Sequence, residues 1–316
     1  MRILVAVCTL AAATQSSSAA QTADPAVQAY VDEALDIMQE WSLRRDSLDW
    51  AQIRAAAHTM AGEAATTEEA YPALRQALQS LGDNHSFLRP AQPAASAPPS
   101  AQRNVGASAT RSRPEPTSRR LGEDIALIAV PAFAGNDLEA FATLIDTRIA
   151  EVDGPTICGW IVDLRGNGGG NMWPMLSGLR SILGPPPLGA FRSPSGVGAP
   201  WTYGVESPGT PLHQEDPPVA VLTDSRTASS GEAVVIAFHG RNRTRFFGEP
   251  TAGLSTANRG FPLSDGALLV VTVSTMLDRS GREYAGRIEP DVLTPAATAE
   301  APAIEWLRAT CSSPAI

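Results

Sequence analysis

A chain of 316 residues is long enough to bury one large core or two small ones. Its net charge of -9, with adjacent basic residues only at Arg44-Arg45 and Arg119-Arg120, argues against a nucleic-acid or anionic-membrane partner. Every basic side chain is arginine, so any mechanism that needs a lysine is excluded.

The chain opens on Met1-Arg2, runs apolar from Ile3 to Ala13, and turns small and polar through Ser16-Ser-Ser-Ala-Ala20. A charged start, an apolar stretch too short to span a bilayer and the small-x-small site Ser18-Ala19-Ala20 predict a secretory signal over residues 1–20, cleaved after Ala20. Export to the periplasm or the extracellular space follows, with no transmembrane anchor left after removal. Cys8 sits inside the apolar run behind Val7, where lipid attachment would call for a small residue. The mature chain keeps Cys158 and Cys311, an even count suited to an oxidising compartment; their pairing is left open.

From Ala26 to Gln39, Val27, Tyr30, Val31, Ala34, Leu35 and Met38 recur at helical spacing. A second helix follows Asp49 with Ile53, Ala56, Ala57 and Met60, and a third runs from Thr67 to Leu81. Together they predict a small three-helix bundle over residues 24–88. Residues 89–120 are too rich in proline and too poor in large apolar side chains to offset the entropy of ordering a core, and read as a linker.

Beyond it, strand and helix alternate: strand Ile125–Pro131, helix Leu138–Val152, strand Thr156–Leu164, helix Met175–Ile182. An α/β core over residues 121–312 follows. At its centre the β-branched run Val219-Ala-Val-Leu222 leads through Thr223-Asp-Ser-Arg-Thr-Ala-Ser-Ser-Gly-Glu232 into a second apolar run of helical length that stops at Gly240. A strand that turns sharply into a buried helix lifts one side chain to the helix N-terminus, and Ser229 holds that place. On these residues alone, a simple helix cap by Ser229 and Ser230 explains the pattern as well.

A second signal is Arg165-Gly-Asn-Gly-Gly-Gly170 after the strand that ends at Leu164. Consecutive glycines let backbone N–H groups approach an oxygen that carries charge. A nucleotide phosphate loop is ruled out by the missing lysine, and the third glycine of a dinucleotide fingerprint is absent. An oxyanion hole for acyl transfer remains, beside the plainer reading of a flexible turn. Of the four histidines, His58 falls in a helix, His213 in a proline-rich loop and His239 at the end of a buried helix; His85 stands at a helix-to-loop junction among Asp83, Asn84 and Ser86, which can orient an imidazole. No His or Cys pair has metal-ligand spacing.

Taken together, Leu81-Gly-Asp-Asn-His-Ser-Phe87, Val162-Asp-Leu-Arg-Gly-Asn-Gly-Gly-Gly170, Thr227-Ala-Ser-Ser-Gly-Glu232 and Gly248-Glu-Pro-Thr-Ala-Gly253 resemble, in this order, the tail-specific or C-terminal processing serine peptidase family. The resemblance implies a ClpP/crotonase-like α/β core with Ser229 as nucleophile, three residues before Glu232. It also implies an oxyanion hole made by Gly168, Gly169 and the Ser230 N–H.

Two departures matter. Processing members carry a PDZ domain between the helical part and the core, and a catalytic lysine just after the Gly-Glu-Pro-Thr motif; here residues 89–120 are too few for a PDZ domain, and Leu254 holds the lysine position. The chain is instead similar to the PDZ-less branch with the tricorn core protease and the interphotoreceptor retinoid-binding protein, where a histidine serves as base. The resemblance gives that role to His85, with Ser86 as a possible relay, and the acidic third member to Glu283, with Glu289 as the competing choice. The expectation is an exported serine peptidase that acts on a peptide or protein substrate without metal or organic cofactor. Two alternatives stay open: a catalytically silent binder of an apolar small ligand, and an esterase or lactonase on the same machinery.

Overall fold

A computed structural model of the chain describes residues 24–91 and 114–312. The expected leader (1–20) and the middle of the expected linker (92–113) lie outside the described residues.

Three helices come first, as the apolar spacing predicts. Asp24 caps α1 (Pro25–Trp41) by accepting from the Ala26 N–H, and Pro25 opens it where no intrahelical donor is lost. Asp49 caps α2 (Trp50–Met60) through the Gln52 N–H. Helix α3 (Tyr71–Ser80) begins four residues later than predicted, with Pro72 in its first turn. The chain then pairs briefly as β1 (Phe87–Arg89) and resumes in β2 (Thr117–Leu121), the antiparallel partner of β3 (Ile125–Ala129). The stretch expected to be linker throughout is therefore strand at both ends.

Next come α4 (Leu138–Val152), β4 (Gly159–Asp163), α5 (Met172–Gly178) and its short continuation α6 (Arg180–Leu183). A hairpin of β5 (Ala190–Ser193) and β6 (Gly196–Pro200) precedes β7 (Val219–Thr223) and α7 (Ser230–Phe238). Strands β8 (Thr244–Gly248), β9 (Thr256–Pro262), β10 (Leu268–Leu277), β11 (Glu283–Tyr284) and β12 (Val292–Leu293) follow, and α8 (Glu300–Cys311) ends the described chain.

The strands form two sheets, and the fold is mixed α/β. One sheet has the order β12-β8-β7-β4-β3-β2 and is parallel apart from β2. Parallel strands are covered on both faces, which is why β7 reads as an unbroken apolar run. Ala126, Ile128, Trp160, Val162 and Val221 pack under α4, α5 and α7, while Ile125, Leu127, Ile161 and Leu222 pack under α8. A disulfide joins Cys158, just before β4, to Cys311 at the end of α8 and closes the pairing that the sequence leaves open.

The second sheet is antiparallel with β10 as its spine, flanked by β1 and β5 on one edge and by β9 and β11 on the other. One face of it completes the helical part: Leu263, Ala267, Leu269 and Val271 share a single buried cluster with α1, α2 and α3. The helices thus do not close a core by themselves. A bulge at Val273 sets the register, so that Thr256 faces Thr275 and Asn258 faces Thr272. Among the described residues no helix is long and apolar enough to cross a membrane.

Candidate active site

The site grows from the carboxyl ends of β4 and β7, where parallel α/β sheets place their ligands. Two loops leave these ends and are bound to each other. Asp224 Oδ1 accepts from the Gly166 N–H at 2.9 Å, Thr227 Oγ1 donates to the Leu164 carbonyl at 2.9 Å, and the Ala228 N–H donates to the Asn167 carbonyl at 2.9 Å. Asn167 is fully buried and also donates from Nδ2 to the Val130 carbonyl at 3.0 Å. The glycine turn is therefore a fixed shelf for the loop after β7.

Ser229 is the residue on which that loop turns into α7. Its backbone has φ 53° and ψ -118°, left-handed values that a non-glycine residue adopts only under constraint from its surroundings. The constraint is visible: a Cβ added to Gly169 would lie 2.9 Å from both Ser229 Cβ and the Ser230 nitrogen, so only glycine lets the shelf come this close. Ser230 is the first residue of α7, where amides lack intrahelical partners; its hydroxyl donates to the Gly170 carbonyl at 2.7 Å.

Glu232 ties this turn to the next segment. It is fully buried, and its carboxylate accepts from the N–H groups of Ser229 (2.8 Å), Gly253 (3.0 Å) and Leu254 (2.8 Å) and from the Thr251 hydroxyl (2.5 Å). Burial pushes its acid up in pKa, against the pull of these four donors. Leu254, where the resemblance would put a lysine, contributes a backbone donor here.

Two residues on, β9 begins with Thr256, whose Oγ1 shares a 2.9 Å hydrogen bond with His85 Nδ1. Through Glu232, Leu254 and Thr256 the contacts run from the serine turn to the histidine loop. That loop is firmly held: Asp83 Oδ1 accepts from the N–H groups of His85 (2.9 Å) and Ser86 (2.6 Å), and Asn258 Nδ2 donates to the His85 carbonyl at 2.8 Å. Nε2 of His85 has no protein partner among the described residues. Burial lowers the His85 pKa below the usual histidine value, and the Asp83 charge only partly opposes it.

At three of the expected positions the structure shows other partners. Gly169 donates its N–H to Asn167 Oδ1 at 3.0 Å, so that amide is already committed; Gly168 has open space around it. Glu283 does not touch the imidazole. It accepts from the Thr275 hydroxyl and lies 3.4 Å from Arg192, one cross-strand step behind Thr256. Ser86 does not relay between His85 and an acid either: its hydroxyl donates to Asp83 Oδ2 and accepts from the Thr272 N–H. Glu289, the competing acid, is exposed.

The other histidines have structural partners. His58 bonds to Gln28 and Asp32, His213 bonds to Asp153, and His239 stacks on Phe246. Sequence reasoning missed Thr256, Asn258, Thr272 and Asn167. The first three signal only through the bulged register of β9 and β10, which no local pattern announces; Asn167 lay inside a quoted motif, but its burial did not.

Residues 124–294 match the profile of Peptidase family S41. A nisin-resistance protein of Lactococcus lactis subsp. lactis is 29% identical over 296 residues, which cover 90% of this chain and 88% of that protein. A solved lipoprotein from Streptococcus agalactiae superposes with a TM-score of 0.74 at 26% identity, covering 91% of this chain and 98% of the other. The photosystem II D1 C-terminal processing protease superposes with a TM-score of 0.60 at 16% identity over 87% and 94% of the two chains, a likeness of fold.

Proposed function

From the premise that this chain belongs to peptidase family S41 and is a serine-type peptidase, we propose that Ser229 is its nucleophile and His85 its general base. The observation that carries the reading is Ser229 itself, held at φ 53° at the head of a buried helix and against the glycine shelf. Thr256 Oγ1 accepts a hydrogen bond from the Nδ1–H of His85, which keeps that proton in place and leaves the Nε2 lone pair to accept the Ser229 proton as Oγ attacks the peptide carbonyl carbon. The N–H groups of Gly168 and Ser230 receive the oxyanion, each worth roughly 3 kcal/mol of barrier. His85 then returns the proton to the leaving amine, and water hydrolyses the acyl-enzyme with the same histidine as base.

Residues 1–20 act as an export leader in this reading, and the lipoprotein from Streptococcus agalactiae, which covers almost the same span, supports a place in the cell envelope or outside it. We read the parallel-sheet half, with its strand-turn-helix at Ser229, as a ClpP/crotonase-like core, and residues 24–88 as its helical N-terminal part. The Lactococcus relative makes nisin the first substrate to try.

The test is labelling by a fluorophosphonate with mapping of the modified residue, followed by rates on matched peptide and ester substrates. Adduct at Ser229 and peptide turnover are expected. Ester turnover with no detectable turnover of the matched peptide would make the chain an esterase; no adduct at Ser229 would return it to a ligand-binding role.

A further inference from the structure

A cavity of about 490 Å³ lies beside the site and plays no part in the chemistry above. Its wall is shared by both halves of the machinery: Ala257, Asn258 and Arg259 follow Thr256 along β9, and Trp173 stands in the first turn of the helix that opens from the glycine shelf. Trp41, at the end of α1, and Phe191, on β5, supply further aromatic surface. The volume falls within the range of binding cavities for small ligands or a pair of side chains.

The charges of this cavity are one-sided. The chain has 33 acidic against 24 basic residues, yet no carboxylate lines the space and two guanidinium groups do, Arg45 and Arg259. Arg45 donates to the Glu40 carbonyl at 2.7 Å and lies 3.7 Å from Asp46. Arg259 differs: among the described residues its side chain makes no hydrogen bond or ion pair, and its guanidinium carbon lies over two rings, 4.2 Å from the Trp41 centroid and 5.2 Å from that of Phe261. A guanidinium held over rings by cation–π attraction uses none of its N–H donors in that contact, so they are free to receive a carboxylate through two parallel hydrogen bonds.

We infer that this cavity is a specificity subsite that takes a bulky apolar side chain of the peptide on Trp173 and Phe191 together with a neighbouring carboxylate on Arg259. The inference rests on the peptidase reading for its substrate class. A cationic neighbour would face Arg259 and Arg45 with no acid to pair with, so the same cavity turns lysine-bearing segments away. The carboxylate comes from an Asp or Glu side chain or from the end of a peptide; the two sources share one chemistry.

The experiment measures affinities by titration calorimetry on the full chain carrying Ser229→Ala, so that binding is read without turnover. Matched peptides present Trp-Asp or Trp-Lys inside an amidated sequence, and a third ends in Trp with a free carboxylate. At least tenfold tighter binding of a carboxylate peptide than of the Trp-Lys peptide is expected; which carboxylate peptide prevails identifies the source. Arg259→Glu should invert the preference, Arg259→Gln should bring the ratio near one, and Trp173→Ala should weaken the binding of all three Trp-bearing peptides. Thermal melting of each variant shows whether it is folded. Equal affinities for all three peptides, or a preference that survives Arg259→Gln in a folded variant, would overturn the inference. Fluorophosphonate labelling of the unsubstituted chain, run in parallel, reports on the peptidase reading independently.

Discussion

His85 and Thr256, separated by 171 positions in the chain, meet through a 2.9 Å hydrogen bond between imidazole Nδ1 and hydroxyl Oγ1. A hydroxyl thus stands where serine peptidase triads place a carboxylate. It can fix the ring and its tautomer, but it brings no negative charge to the imidazolium that the proposed mechanism forms. Thr256→Val should lower kcat about 10- to 100-fold with little change in KM, and Thr256→Ser should restore most of the loss. Steady-state kinetics on the three proteins decides this; an unchanged kcat in a folded Thr256→Val protein would remove the residue from the mechanism.

The pH profile follows from the same imidazole. Burial holds the His85 pKa below 6.5, with Asp83 opposing, and only the neutral ring can take the serine proton. Activity should be flat through neutral pH and fall on acidification, with a midpoint below the ordinary histidine value. Asp83→Asn removes the charge that favours protonation, so the acid limb should move to still lower pH. A limb that moved upward in that variant would contradict the assignment.

Glu232 organises the turn through its hydrogen bonds. All four of its partners are donors, the N–H groups of Ser229, Gly253 and Leu254 and the Thr251 hydroxyl. Glu232→Gln keeps the shape but points an amide NH2 at one or more of them. The substitution should cost on the order of 2 to 3 kcal/mol, since a charge-assisted hydrogen bond is lost and a buried donor is left facing another. Denaturant unfolding measures it, and a loss below about 0.5 kcal/mol would mean that the carboxylate is not needed as an acceptor.

How far the sequence reaches is clearest along this line of contacts. The strand-turn-helix around Ser229 and the junction at His85 were legible because both are local: a β-branched run, small residues at a turn, a histidine among short polar side chains. The helices were legible from their spacing, and α4 was placed correctly at Leu138–Val152. Of the antiparallel sheet only the long strand was: Ala267 to Met276 reads as a strand, and β10 spans Leu268–Leu277. Its strands β1, β5, β9 and β11 carry weak patterns and pair with β10, so pairing at long range decides them. Thr256 was invisible for that reason, and so was the misfit of Glu283, which comes within one cross-strand step of Thr256 without reaching His85.

His239 contributes to the acid sensitivity of the fold. Stacked 3.9 Å from Phe246, it is buried enough to lower its pKa from 6.5 to about 4. Between those values the unfolded chain binds a proton that the folded chain refuses, so this contribution is complete above pH 6.5 and is lost as pH falls toward 4. The total loss is on the order of 3 kcal/mol. His239→Phe should flatten this part of the stability curve, measured by urea unfolding from pH 7 to pH 4; an equally steep acid limb in the variant would place its origin elsewhere.

The central claim is that Ser229 and His85 act as one unit, and a double-substitution cycle tests it most directly. We expect Ser229→Ala and His85→Ala each to remove nearly all peptide turnover, and the double variant to lose little more than either alone, because removing one partner already disables the other. The measured quantity is kcat/KM for one peptide substrate in all four proteins, each shown to be folded. Losses that simply multiply, or a folded His85→Ala protein with the turnover of the unsubstituted chain, would contradict the account and send the search for the base elsewhere.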